Sequence, residues 1–213
     1  MKRRTLDLTF SIGGGLLAVL LLILGLVLQN QASFADDYVR EQMAEQQITF
    51  PPEDALSDAE RERDCLVENA GQPMETGKQA ECYANDYIGL HLEDINDGKP
   101  YSVTSTESRE AAAAAAEAEE ADAPDAEELR AEAEELSGKV EQLFRGETLR
   151  GVLLTSYGFS IFGERAAQAA MVVFIVAGVL ALATVAGFIH AFSARGDETI
   201  GVVRVEDGPD ETT

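Results

Sequence analysis

This chain of 213 residues has few of the histidines and cysteines on which many catalytic and metal sites depend. The sequence holds two histidines, His91 and His190, two cysteines, Cys65 and Cys82, and no tryptophan. A non-haem iron centre needs two histidines and a carboxylate on one face, and acyl transfer needs a serine beside a histidine and an acid. No nucleophile-elbow motif and no CxxC pair occur. We therefore predict no catalytic residue, no metal ligand and no cofactor.

Two long apolar segments decide where these few residues lie. Residues 11–30 and 166–193 contain no Asp, Glu, Lys or Arg. A helix of roughly 20 apolar residues crosses the hydrocarbon core of a bilayer. A buried helix of a soluble protein is the alternative, but the remaining acidic chain has too little apolar surface to cover two such helices on all sides. The sequence predicts two transmembrane helices in a lipid bilayer.

The basic residues near these segments set their orientation. Lys2, Arg3 and Arg4 precede the first segment and Arg195 follows the second, whereas Arg165 is the one opposing cation. Positive residues favour the cytoplasmic side. We expect both termini, residues 1–10 and the acidic tail 194–213, in the cytoplasm, and residues of about 29–165 outside it.

The outer residues carry nearly all of the negative charge. The whole chain has 16 basic and 39 acidic residues, a net charge of −23, and residues 29–165 hold 11 basic and 32 acidic residues, a net charge of −21. A protein that binds nucleic acid must bring cations to the phosphates. A nucleic-acid partner is therefore excluded.

The first segment has a second interpretation, as a cleaved signal peptide. Ser33 and Ala35 supply small residues at the −3 and −1 positions of a cleavage site. Its apolar run of about 18 residues is, however, longer than the 7–15 of a cleaved signal. We expect a retained anchor.

The outer domain reads as all-α, with a helical hairpin in residues 31–101. Ser57 with Glu60 three positions later is a capping-box signature that opens a helix to about residue 69. A second helix over 76–95 carries an apolar stripe at spacings of three and four and ends at the turn 96–98. Three aromatic members of this stripe form a candidate binding surface: Tyr83, Tyr87 and His91. His91 is expected in the core, and a pH-responsive switch is the alternative.

Cys65 and Cys82 fall in the two hairpin helices. Disulfides persist outside the cytoplasm, and two cysteines allow one intramolecular bridge. We expect that bridge; two free thiols or a bridge between chains are the alternatives.

The segments that follow the hairpin differ in their pattern. Residues 102–124 are rich in Ala and Glu and predict a mobile or weakly helical linker. Residues 125–165 begin with a heptad-like seam, which indicates a helix packed onto the hairpin. An aromatic approach to the second span follows, and we expect it at the lipid interface or lining a groove. Its members Tyr157, Phe159 and Phe162 complete the candidate binding surface.

Residues 34–48 predict a further helix that leaves the first span, with Phe34, Tyr38 and Met43 inward and an end at Phe50. Within the spans, small residues recur four apart, as at Gly14 and Ala18. These rows favour close helix packing, either of the two spans on each other or on a partner's helix.

Three stretches resemble a family of small actinobacterial membrane proteins with two spans and a helical outer domain. They are FPPE at 50–53, TGKQAECYANDYIGLHL at 76–92 and LFRGETLRGVLLTSYGF at 143–159. Some members of that family carry the label aromatic ring-opening dioxygenase. The predicted topology puts His91 outside the cytoplasm and His190 at its membrane face, so the two cannot hold one iron within a chain. The resemblance supplies no active-site residues.

These observations favour a non-enzymatic integral membrane protein whose outer domain is an interaction or structural module, such as an accessory subunit of a cell-envelope complex. The expected partner is a membrane protein that binds through the spans or the outer domain. The alternative is an envelope sensor, or a binder of a lipid or small molecule, that uses the outer helical domain.

Overall fold

The chain is all-α in the computed structural model, which describes residues 3–193 and the side chains from Arg4 onward. Seven α-helices occur in that part: α1 (Arg3–Gln46), α2 (Asp58–Arg61), α3 (Asp64–Glu68), α4 (Gly77–Cys82), α5 (Gly89–Glu93), α6 (Tyr101–Glu120) and α7 (Ala126–Ser193). A π-helical segment, Tyr83–Ile88, joins α4 to α5. No strand is present between residues 3 and 193, where the one β-bridge pairs Thr49 with Pro73. Lys2, Arg195 and the tail 194–213 lie outside the described residues.

The chain divides into two compact units. One comprises Met1–Gln31 with Ala166–Thr213 and is called the two-helix unit below; the other, Ala32–Arg165, is called the central unit. Both α1 and α7 contribute residues to both units.

In the two-helix unit, glycines let the helices approach closely. A Cβ added at Gly25 would lie 2.6 Å from a ring carbon of Phe174, and one at Gly187 would meet the Ser11 hydroxyl. Ala18 and Ala177 are buried at this contact surface. Small residues therefore pack the two apolar helices on each other, the first of the two interpretations of their spacing.

The remaining surface of these two helices is apolar and exposed. Both α1 and α7 are long and apolar enough to cross a membrane, yet only 17% and 6% of their most apolar windows are buried. A core helix of a soluble protein would have most of that surface covered.

The core of the central unit contains residues from α1, from the hairpin and from α7. Its buried apolar residues include Val39, Met43, Phe50, Leu66, Met74, Ile88, Leu143 and Leu153. Val39 and Met43 of α1 are 4% exposed, whereas Phe34 and Tyr38 are 55% and 48% exposed. The expectation that Met43 faces inward is confirmed. The same expectation for Phe34 and Tyr38 is wrong, because α1 turns the stripe of residues 39 and 43 toward the core.

The hairpin begins where the sequence predicts but is broken into short helices. Ser57 caps α2 through a reciprocal pair of hydrogen bonds: its N–H donates to Glu60 Oε2 at 2.7 Å, and its Oγ accepts from the Glu60 N–H at 3.3 Å. The capping box is thus confirmed. The helix ends at Arg61, and α3 starts three residues later. A second capping box, Thr76 with Gln79, opens α4.

The segment predicted as a linker, 102–124, is for the most part a helix. α6 covers Tyr101–Glu120, and its Ala115 and Ala118 are 5% and 9% exposed. Of the two forms predicted, mobile or weakly helical, the structure has the helical one. Its alanine side chains, although small, are covered because another helix lies close to them. At the start of α6, Asn96 donates hydrogen bonds to Thr104 and Glu107, and Lys99 donates to Glu107 at 2.8 Å.

The heptad-like seam of α7 packs on α6 and on the core. Leu129 and Leu136 face Ala111 and Ala114 across a shallow groove, and the Tyr101 ring lies 5.8 Å from that of Phe144. These contacts pair α6 antiparallel with the first part of α7. The last seam residue, Leu143, is 2% exposed and belongs to the core.

Candidate functional site

An apolar groove of about 330 Å³ lies between α1 and α7 within the central unit. From α1 and the residues after it come Tyr38, Val39, Gln42, Met43, Gln46 and Ile48. From α7 come Leu149, Val152, Leu153, Thr155, Ser156 and Phe159. None of these side chains is ionised at neutral pH. A volume of this size is at the lower end of the range for small-molecule sites.

The floor and the rim of the groove differ in exposure. Val39, Met43 and Leu153 form the floor and are at most 4% exposed, so the core fixes their positions. Tyr38 and Phe159 form the rim and are nearly half exposed. A buried apolar floor beneath a half-exposed aromatic rim is typical of a binding site.

Aromatic rings continue from the rim along α1. The Tyr38 ring contacts Phe159 edge to face at 5.9 Å between centroids, and Phe34 stacks on Tyr38 at 5.7 Å. Both distances are typical of favourable aromatic pairs. The sequence analysis includes Phe159 in the candidate binding surface but not Tyr38, because it expects Tyr38 to face the core.

The other two members of the predicted aromatic approach lie elsewhere. Phe162 is 76% exposed and does not line the groove. Tyr157 hydrogen-bonds to Glu81 of α4, where burial and then the charge of Glu81 raise the pKa of its phenol. The structure therefore separates Tyr157, Phe159 and Phe162 into three environments.

A second aromatic feature is a row of rings on the hairpin. Centroids are 5.3 Å apart for Phe50 and Tyr83, 4.7 Å for Tyr83 and Tyr87, and 4.6 Å for Tyr87 and His91. The π-helical segment has a wider turn than an α-helix, so residues four apart lie above one another. The predicted set Tyr83, Tyr87 and His91 is thus brought together. Burial, then the neighbouring Tyr87, raises the pKa of the Tyr83 phenol.

His91 ends this row at the surface. Its side chain is 56% exposed, with Nδ1 2.7 Å from the Tyr87 carbonyl oxygen and Nε2 3.8 Å from Glu60 Oε1. The prediction of a core histidine is wrong, because the π-helical turn rotates residue 91 off the buried stripe. Burial would raise the pKa of Glu60, but hydrogen bonds from Ser57 and the charge of His91 outweigh it and lower that pKa.

The two cysteines form the expected disulfide. Cys65 of α3 and Cys82 of α4 are bonded, with Cα atoms 6.0 Å apart. Asp86 Oδ2 lies 3.1 Å from the Cys65 sulfur, and Arg63 lies 3.8 Å from the same carboxylate. These two sulfurs and Asp86 lie within 4.8 Å of one another. In residues 3–193 this is the one group of three or more residues of metal-binding type that is so close together. A sulfur in a disulfide is not a thiolate and does not ligate a metal.

The second histidine lies in the two-helix unit. His190 Nε2 is 3.9 Å from Asp7 Oδ2, at a small cleft that Ser11 and Thr184 also line. The Asp7 oxygen is buried and accepts no hydrogen bond within the described residues. His91 and His190 therefore have separate carboxylate neighbours, Glu60 and Asp7.

Comparison with known proteins adds no assignment, since no family model, no curated protein and no solved structure matches the chain.

Proposed function

We propose that this chain is an integral membrane protein with two spanning helices and a non-enzymatic interaction module outside the cytoplasm. The exposure of the two apolar helices is the observation that carries the proposal. Large apolar side chains such as Leu20, Leu182 and Phe192 are at least 60% exposed. Moving one such side chain out of water is worth about 1.5–3 kcal/mol, so a bilayer is the solvent that suits this surface.

The distribution of charge supports the proposed orientation of the chain in the membrane. Lys2, Arg3 and Arg4 lie just ahead of the apolar run of α1, and the central unit, Ala32–Arg165, has a net charge of −21. Basic residues close to a span favour the cytoplasmic side, whereas a long domain crosses the membrane largely regardless of its charge. The central unit then faces the outside, where a disulfide such as Cys65–Cys82 persists.

The groove supports binding over catalysis. General acid–base and nucleophilic catalysis need a titratable or nucleophilic group beside the reacting atom. The groove residues are apolar or carry amides, hydroxyls and one phenol, and His91 is not among them. An interaction module needs only the shape and the apolar lining that this groove has.

A labelling experiment tests the membrane topology. Ala113 of α6 is exposed, and residue 212 belongs to the acidic tail. In intact spheroplasts, a membrane-impermeant maleimide should modify an A113C variant but leave a T212C variant unmodified until the membrane is permeabilised. The native cysteines are bonded to each other and give no background. The reverse pattern, or release of the protein by alkaline carbonate, would contradict the proposal.

A second candidate function is that of a lipid or small-molecule binder, and one observation favours it. The groove is preformed, with buried Met43 and Leu153 beneath an exposed rim. Saturable thermal stabilisation of the purified protein by an apolar ligand would support this candidate. A stable protein partner retained in mild detergent would favour the interaction module.

A further inference from the structure

The groove between α1 and α7 has a size and a lining that restrict its ligand. A helix with its side chains is about 10–12 Å across, so two turns occupy roughly 1,000 Å³. The groove holds about 330 Å³. A single extended apolar chain therefore fits within the groove, whereas a partner's helix would place only a few side chains in it.

The polar groups of the groove are uncharged. Gln42 and Gln46 offer amides, and Thr155 and Ser156 offer hydroxyl oxygens whose protons go to the carbonyls of Gly151 and Val152 at 2.8 and 3.2 Å. These hydroxyl oxygens keep lone pairs that accept a hydrogen bond from a ligand. The lining therefore matches hydroxyl groups better than it matches an ionised group.

The charge of the surrounding unit points the same way. Its net charge of −21 repels an anionic ligand and repels a second copy of the same unit. A basic peptide would be attracted to the unit as a whole, but no carboxylate lines the groove to pair with its cations. An uncharged amphiphile is not repelled by the charge of the unit and needs no carboxylate to pair with.

We infer that this groove binds one acyl chain of an uncharged, hydroxyl-bearing membrane lipid. The chain lies over Val39, Met43 and Leu153, and the hydroxyl groups reach Gln42, Gln46 or Ser156. The inference rests on the proposed membrane location, because the bilayer supplies such lipids in excess. It names the ligand class for the second candidate function.

The absence of tryptophan provides the test. A Phe159→Trp variant places one tryptophan on the groove rim, and a Phe162→Trp variant places one on an exposed site outside the groove. The full chain in detergent is titrated with a monoacylglycerol whose chain is brominated, and tryptophan quenching is measured. Quenching should saturate at low lipid mole fraction for F159W and rise in proportion to mole fraction for F162W. Equal, non-saturating curves would overturn the inference.

A matched pair of substitutions on α7 tests whether the saturable quenching comes from lipid bound in the groove. Ser156 lines the groove, whereas Ser137 is exposed and distant from it in the sequence. In the F159W background, Ser156→Phe should weaken the apparent affinity by about tenfold or more, and Ser137→Phe should leave it unchanged. Equal effects of the two variants would overturn the inference.

Two further arms identify other occupants. A brominated phosphatidylglycerol, which is anionic, should quench the F159W tryptophan with a lower apparent affinity than the uncharged lipid does. A higher apparent affinity would overturn the inference. A dimer in sedimentation that S156F dissociates would assign the groove to a second copy, with the same consequence. The labelling experiment on A113C and T212C is independent of all these arms, so failure of the topology is distinguishable from failure of lipid binding.

Discussion

At the scale of single residues, Glu60 shows how a sequence signature becomes a measurable contribution to stability. It is 6% exposed, closes the capping box with Ser57 and lies beside His91. The hydrogen bonds and the histidine together hold the pKa of its carboxyl below the ordinary value despite burial. The folded state therefore favours the ionised form, so its contribution is complete above the pKa of the unfolded chain and is lost as the pH falls through the folded pKa.

Glu60→Gln keeps a side-chain oxygen for the capping box, as Gln79 does for α4, but removes the negative charge. We expect it to destabilise the protein by about 0.3–1 kcal/mol at neutral pH, the usual contribution of a negative charge at a helix N-terminus. The difference between wild type and variant should shrink between pH 5 and pH 3, as Glu60 of the wild type becomes protonated. Denaturation midpoints of both proteins across this range measure it. Glu62→Gln, at an exposed position two residues on, is the control and should show neither effect. A difference that is constant with pH would contradict the assignment.

The same residues show what a sequence conveys and what it does not. The spacing of Ser57 and Glu60 is sufficient for a capping box, because both bonds form within one helical turn. The exposure of His91 was not predictable, because the stripe 80–95 fits an α-helical period and the switch to a π-helical turn depends on tertiary packing. The close packing of Ala115 and Ala118 was missed for a related reason: composition reports size, not the distance to a neighbouring helix.

At the scale of elements, the disulfide joins two short helices that have little stability of their own. α3 has five residues and α4 has six, far below the length at which isolated helices form in water. The link between residues 65 and 82 restricts the unfolded chain, which for a loop of this length is worth about 3 kcal/mol.

A Cys65→Ser, Cys82→Ser double variant should therefore lose about 3 kcal/mol of stability in the central unit. Protease resistance of the loop 69–76 should fall with it, because the loop connects the two bonded helices. The melting temperature and limited proteolysis of both proteins measure the change, and adding a reductant to the wild type should reproduce it. A variant as stable as the oxidised wild type would show that packing alone holds the hairpin.

The packing of α1 on α7 in the two-helix unit also makes a prediction at this scale. Gly25 is buried against the Phe174 ring, whereas a Cβ at Gly13 of the same helix would have no atom within 4 Å. Gly25→Leu should destabilise the unit by about 1–3 kcal/mol through overpacking. Gly13→Leu should be nearly neutral. Thermal unfolding of the two variants in the same detergent compares them, and equal behaviour would contradict the close approach at Gly25.

At the scale of the whole molecule, sequence reasoning succeeded for long-range patterns and failed for the groove. The all-α class and the two apolar helices follow from composition and periodicity, which are properties of long segments. The groove needs residues 38–48 and 149–159 side by side. Neither stretch alone contains a pattern that predicts its contact with the other. The groove could therefore be found only from the three-dimensional structure.

The retention of the first apolar segment is a prediction about the entire chain. Ser11, Ala18 and Gly25 of α1 are buried within the two-helix unit, where α7 supplies Gly187 and Phe174 as neighbours. Cleavage after Ala35 would leave Ala170 and Ala177, both at most 4% exposed, without the helix that covers them. In lipid, small residues such as these gain their stability from close packing and would lose it. The mature protein should therefore have the intact mass of about 22.9 kDa by mass spectrometry, and a mass lower by about 35 residues would identify a cleaved signal peptide of the kind that Ser33 and Ala35 allow.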